Sequence, residues 1–173
     1  PDYSQFDFNT LTEDLKSIMY KRCLDVAAYI PNVRISLDGK TLPIKKMSDY
    51  MKMHLSEDAE FFYEKLDNDW EVGIAKSTEH GFISNSIVNG ITTYRGGTHV
   101  NYLSLEVSKQ VSEKIKKKKV SWTDVKNKLH LFLICKIINP SFDTQTKTYL
   151  TTKILSDIHQ NSKLSDNIVK KII

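Results

Sequence analysis

Three short stretches hold residue types whose spacing could do chemistry. Asn139-Pro140-Ser141-Phe142-Asp143-Thr144-Gln145-Thr146-Lys147 places one lysine and one amide in a polar loop, directly after the apolar run 129–138. A segment that closes in Asn-Pro and opens into Thr, Gln and Lys has stopped supplying core and begun presenting side chains. A lysine there is a compact cation with three N–H donors, suited to a phosphate oxygen, although most surface lysines are merely solvated. Arg95-Gly96-Gly97-Thr98-His99 is a glycine-bearing loop that runs into a helix. His99 could hold an anion at that helix start or make a structural hydrogen bond. The glycine pair lacks GxGxxG or Walker spacing, and a need for positive φ or close packing accounts for it. Lys116-Lys117-Lys118-Lys119 is a run of like charges that repel on a compact surface and gain by meeting phosphates. Nuclear targeting is another use of such a run.

Other chemistries find little support. Asp67, Asp69 and Glu71 fall in a polar hairpin turn, and Glu57, Asp58 and Glu60 at a helix start or acidic edge, so solvation explains both groups. No Ser/His/Asp or Cys/His arrangement is present, and no CxxC or His/Cys spacing suggests a metal. Cys23 and Cys135, the two cysteines, sit in apolar-periodic segments and read as small core residues in a reducing compartment. No apolar run approaches the ~18–20 residues of a membrane span, and no basic-then-apolar leader opens the chain. The start at Pro1 points to a piece of a longer protein.

At 173 residues the chain is long enough for one domain with a substantial core, or for one domain plus a fragment of another, and 40% hydrophobic and 27% charged residues are ordinary for a soluble globular protein. The net charge of +4 is unevenly spread: residues 1–79 carry 10 Lys/Arg against 15 Asp/Glu, and residues 80–173 carry 15 against 6. A basic C-terminal half invites a polyanion by counterion release; a solvated lysine-rich helix end is the equal alternative.

These residues need elements to position them. Thr10-Leu11-Thr12-Glu13 reads as a capping box for an amphipathic helix over about 10–28, with Leu11, Leu15, Ile18, Met19 and Val26 at helical spacing. Val33, Ile35 and Leu37 alternate with polar residues up to Asp38-Gly39, which predicts a β-hairpin. A short helix over 48–55 follows, then a hairpin of strands 61–66 and 70–76, then one strand over 82–93 that carries Asn89-Gly90. Leu103, Val107, Val111 and Ile115 space a long helix over about 99–118. Ser121 to Asp124 caps a short helix near 122–128, residues 129–138 form a buried strand, and the tail from about 153 is helical. The order predicts an α+β sandwich, a β-sheet with helices packed on one face.

Three segments together resemble the transducer domain of type IIA DNA topoisomerases, of the eukaryotic-type or viral branch. Residues 86–100, with Ser86, Val88, Asn89, Ile91, Thr93, Gly96, Gly97 and His99, resemble the family's S-F-V-N-x-I-x-T-x-x-G-G-T/R-H strand, loop and helix. Residues 139–147 resemble its N-P-x-F-x-x-Q-T-K loop, and Lys116 to Lys119 a short form of its K-loop. Order and separation agree, and similarity runs through nearly the whole chain. The resemblance implies a left-handed β-α-β crossover as in the transducers of GHKL ATPases. It implies that residues 1–28 end the preceding GHKL ATPase domain, 29–155 form the transducer and 156–173 begin the helical connection to the cleavage core. It further implies that Gln145 and Lys147 contact the γ-phosphate of ATP in the neighbouring domain's pocket, with Lys147 as the catalytic group. Lys116, Lys117, Lys118 and Lys119 would meet double-stranded DNA. ATP and Mg2+ would act in the full-length enzyme, a homodimer working in the nucleus or at a viral replication site, while this segment alone would bind neither and be inactive. The other reading of the basic half is a stand-alone nucleic-acid-binding module of related fold.

Overall fold

The computed structural model describes residues 3–6, 10–66, 69–78, 81–115, 120–153 and 163–173. Helix α1 is Glu13–Tyr29, followed by the small hairpin β1 (Ser36–Leu37) and β2 (Lys40–Thr41) and by helix α2, Met47–His54. Strands β3 (Phe61–Lys65), β4 (Trp70–Lys76), β5 (Ile83–Val88) and β6 (Ile91–Thr92) come next. Helices α3 (Thr98–Lys114) and α4 (Trp122–Lys126) lead to β7, Leu129–Cys135, and α5 spans Asp166–Ile172.

Strands β3 to β7 make a five-stranded sheet in the order β3-β4-β7-β5-β6. β7 lies at its centre, antiparallel to β4 from Trp70↔Cys135 to Lys76↔Leu129 and parallel to β5 from Ile83↔His130 to Val88↔Cys135. The parallel step from β5 to β7 passes through α3 and α4, the β-α-β crossover of an α+β fold. A strand flanked on both edges and covered on both faces reads as a continuous apolar run, and every residue of β7 is buried. The alternating side chains divide between two cores. Leu129, Leu131, Leu133 and Cys135 join Val100, Leu103, Val107 and Val111 of α3 and Val169 of α5. Phe132 and Ile134 join Leu24, Ala27 and Ala28 of α1 and Met47, Tyr50 and Met51 of α2.

The α+β class therefore holds, but helices cover both faces of the sheet rather than one. The second layer is possible because Gly73 of β4 has no side chain where α2 rests; a Cβ there would collide with the thioether of Met51. Three local expectations also shift. The cap of α1 is Thr12, whose hydroxyl accepts from the Leu15 N–H at 3.3 Å, rather than Thr10. The buried residues of α1 lie in its C-terminal half, Leu24 to Ala28, while Ile18 and Met19 of the expected apolar face are 59% and 57% exposed. The single strand expected over 82–93 is a hairpin, because Asn89 and Gly90 adopt φ of 48° and 77°, the pair of positive values that a two-residue turn requires. The capping box of Ser121 and Asp124 forms as expected. The long helix stops at Lys114 and the central strand at Cys135, both earlier than their apolar patterns suggest.

Candidate functional site

The loop after β7 is anchored at its root by Asn89 of the β5–β6 turn. The Asn89 side chain donates to the Ile137 carbonyl and accepts from the Ile137 N–H, each at 2.8 Å, and the Asn89 N–H donates to the Cys135 carbonyl at 3.0 Å. Asn139, at φ 50°, then turns the chain into Pro140. The stem closes on itself: the Thr151 N–H donates to the Ser141 carbonyl at 2.9 Å, the Asp143 N–H to the Tyr149 carbonyl at 3.1 Å, and Phe142 bridges Leu150. At the tip the Lys147 N–H donates to the Thr144 carbonyl at 3.0 Å, and the Thr144 and Thr146 hydroxyls meet at 2.9 Å. Lys147 takes φ 58°, a left-handed conformation costing a side-chain-bearing residue about 1 kcal/mol. Gln145, Thr146 and Lys147 are all exposed. The Lys147 ammonium lies 5.7 Å from the Phe142 ring centre, and it makes no ion pair among the described residues.

The glycine loop is the seat of this stem. The Arg95 N–H donates to the Thr148 carbonyl at 2.9 Å, the Leu150 N–H to the Gly96 carbonyl at 3.1 Å and the Thr98 N–H to the Leu150 carbonyl at 3.0 Å. The Thr98 hydroxyl reaches the Thr152 carbonyl at 2.6 Å. Gly97, at φ 146°, must be glycine, since a Cβ would lie 2.6 Å from both the nitrogen and the oxygen of Leu150. The Arg95 guanidinium adds an ion pair to Asp143 at 2.7 Å and stacks 5.9 Å from the Tyr149 ring centre. Two motifs 48 residues apart are thus one structure. Each backbone bond contributes about 1 kcal/mol, and together they brace the stem on its seat.

His99 takes the structural rather than the anion-binding role. It is fully buried, its Nε2 pairs with the Thr93 hydroxyl at 3.3 Å, and burial lowers its pKa to about 4. The Thr93 and Ser86 hydroxyls also pair, which continues this polar chain across the β5–β6 hairpin. Sequence reasoning passed over a further node, Asp25 of α1, which has no exposure at all. An isolated buried carboxylate would cost several kcal/mol. Asp25 instead accepts from the Tyr50 hydroxyl at 2.8 Å, the Thr92 hydroxyl at 2.6 Å and the Lys21 ammonium at 2.8 Å. Burial, then the Asp25 carboxylate, push the Tyr50 phenol well above its ordinary range. The available signal was an acid inside the apolar stretch Leu24 to Ala28.

The run Lys116 to Lys119 lies outside the described residues. Its flanks, Ile115 and Val120, line a depression of about 430 Å³ that Lys76, Lys128 and Lys171 also edge. Among the described residues, no group of three or more His, Cys, Asp and Glu could hold a metal ion, and no helix is long and apolar enough to cross a membrane.

The fold and its loop define an α+β unit in which a mixed sheet, bridged by a helical crossover, holds a lysine-tipped loop away from its own core. Residues 37–173 match the family model described as DNA gyrase B, and the chain belongs to that family of type IIA topoisomerases. It is 32% identical to the DNA topoisomerase 2 of Saccharomyces cerevisiae, over 100% of this chain and 13% of that protein. It superposes with a TM-score of 0.87 on the solved ATPase region of Saccharomyces cerevisiae topoisomerase II, at 34% identity, over 99% of this chain and 45% of that one. The solved ATPase and transducer domains of DNA topoisomerase II from Balamuthia mandrillaris match equally well, at TM-score 0.87 and 34% identity, over 99% of this chain and 44% of that one. The chain therefore spans about one eighth of the length of this yeast relative. Likeness along the whole chain gives no support to a stand-alone nucleic-acid-binding module.

Proposed function

We propose that the chain is the transducer portion of an ATP-dependent type II DNA topoisomerase, coupling ATP binding and hydrolysis to clamp closure and double-strand DNA passage. Residues 1–28 end the preceding GHKL ATPase domain, 29–155 form the transducer and 156–173 begin the connection to the cleavage core. The observation that carries this reading is the braced loop itself, whose cationic tip is exposed and makes no ion pair among the described residues. Gln145 and Lys147 reach the γ-phosphate in a pocket built by the neighbouring domain. A lysine fixed there stabilises charge on the transferred phosphoryl group more than it stabilises the ground state. Loss of the γ-phosphate removes the contact and frees the two domains to rearrange, a switch driven by differential contacts. Mg2+ accompanies the nucleotide. Lys116 to Lys119 face the DNA duplex, the intact enzyme is a homodimer, and a nuclear or viral replication site is where it works. The segment alone neither hydrolyses ATP nor cuts DNA. In the intact enzyme, Lys147→Ala is expected to slow DNA-stimulated ATP hydrolysis about tenfold or more, with strand passage falling in parallel. Unchanged rates of both would sink the assignment.

A further inference from the structure

The Asp25 node joins three elements that are distant in sequence. Its Oδ1 accepts from Tyr50 of α2 and its Oδ2 from Thr92 of β6, while Lys21 of α1 donates to both oxygens at 2.8 and 2.9 Å. Of these, β6 alone continues into the glycine loop. It is a strand of two residues, paired with β5 through Ile87↔Thr92 and Val88↔Ile91 and prolonged by one bond from the Thr93 N–H to the Ser86 carbonyl at 2.9 Å, so its own ladder is short. Thr92 is nevertheless buried, with its hydroxyl 2.6 Å from Asp25. The next residue, Thr93, pairs with Ser86 and His99 and accepts from the Gly96 N–H at 2.9 Å. Arg95 and Gly96 then hold Thr148 and Leu150, in the segment that follows the Lys147 tip. From α1 to the tip, every step is a hydrogen bond or a few peptide units.

We propose that Asp25 is a positioning residue for the Gln145–Lys147 tip, acting through the Thr92 hydroxyl to fix where β6 delivers the glycine loop. This inference rests on the reading of Lys147 as a phosphate contact. A carboxylate suits the task because it accepts several donors at once and its bonds are charge-assisted. α1 thereby acts on the tip through β6 and the glycine loop, and the tip is aligned by the helix that leads into this sheet.

The test is a double-mutant cycle in the intact enzyme, read as kcat of DNA-stimulated ATP hydrolysis. Thr92→Val keeps volume and β-branching but removes the hydroxyl, and Thr92→Ser restores it. Thr92→Val is expected to lower kcat about three- to tenfold, and Thr92→Ser to return it to within about twofold of the parent. Combined with Lys147→Ala, Thr92→Val adds no further loss, because a misplaced tip and an absent tip are equivalent. Tyr50→Phe removes a donor from the same carboxylate without touching β6, so it should lower the melting temperature and leave kcat within about twofold. Should Thr92→Val fail to fold, Asp25→Asn must show the same non-additivity with Lys147→Ala. Multiplicative losses on a slowed Lys147→Ala background, or a Tyr50→Phe loss equal to that of Thr92→Val, overturn the inference alone. A Lys147→Ala enzyme at the parent rate overturns the phosphate reading together with it.

Discussion

Gly97→Ala perturbs the loop while leaving its tip chemically intact. The added methyl would lie 2.6 Å from the nitrogen and oxygen of Leu150 and 2.7 Å from its Cβ, where ordinary contact begins at 3.4 Å. Close packing around the seat means that the segment 148–152 or the start of α3 must retreat by about 0.8 Å. Retreat takes the Thr98 to Leu150 and Leu150 to Gly96 bonds, now 3.0 and 3.1 Å, beyond useful range. Two bonds at about 1 kcal/mol each, plus about 1–3 kcal/mol for a side chain at φ 146°, come to about 3–5 kcal/mol. For a chain this long each kcal/mol moves Tm by about 2–4 °C, so a fall of about 10 °C is expected. Gly39→Ala supplies the comparison: φ there is 75° but nothing lies within 4 Å, so only about 1 kcal/mol of backbone strain applies. Scanning calorimetry of both variants, with ATP turnover of the intact enzyme alongside, separates strain from collision. A Gly97→Ala protein that melts no lower than Gly39→Ala refutes the close approach as the reason for the glycine.

Three further outcomes are expected. His99 and His130 are both buried, and burial holds both near pKa 4, with the nearby His54 a lesser cause for His130. Unfolded histidine protonates near pH 6.5, so the stability these groups contribute is whole above that value and lost as pH falls towards 4, by about 1.4 kcal/mol per pH unit for each. Urea midpoints that stay flat between pH 6.5 and 5, above the range of ordinary carboxylates, contradict this. Thr12→Ala should cost about 1 kcal/mol of thermal stability and Thr10→Ala nothing measurable; equal losses would move the cap of α1 back to Thr10. Replacing Lys116 to Lys119 with glutamine should reduce the slope of log K for DNA against log salt by about 0.9 for each phosphate no longer neutralised, and an unchanged slope marks the run as a solvated face.

Regular elements were legible where a period and a boundary coincided. β4, expected from the polar turn before it, and α2, expected over 48–55, fall almost where the sequence places them, and the Ser121 cap forms because its chemistry is local. The α1 stripe misled because periodicity reveals an apolar face without saying what covers it; among the described residues, Ile18 and Met19 belong to neither core. Asn89-Gly90 carried a turn signal, but the apolar residues on both sides concealed it inside a longer strand. In the loop, the motif could be read and its support could not. The Arg95–Asp143 pair spans 48 residues and the Asp25–Thr92 bond 67, and no local rule links positions so far apart. Of the two uses the sequence allowed for His99, its burial and its Nε2 contact with Thr93 favour the structural hydrogen bond.

β7 has one further consequence. It enters from α4, directly after the lysine segment, and leaves towards Asn139 and the lysine-tipped loop. At about 3.3 Å per residue its length is about 20 Å. Paired along both edges and buried along both faces, it behaves as a tie rod. Such a member cannot stretch or shear without breaking a ladder of bonds. Whatever presses on the chain at the entrance to α4 is therefore felt at the loop as displacement of the sheet as a whole, not as a local dent. One rigid strand thus joins the end of α4 to the root of the lysine-tipped loop.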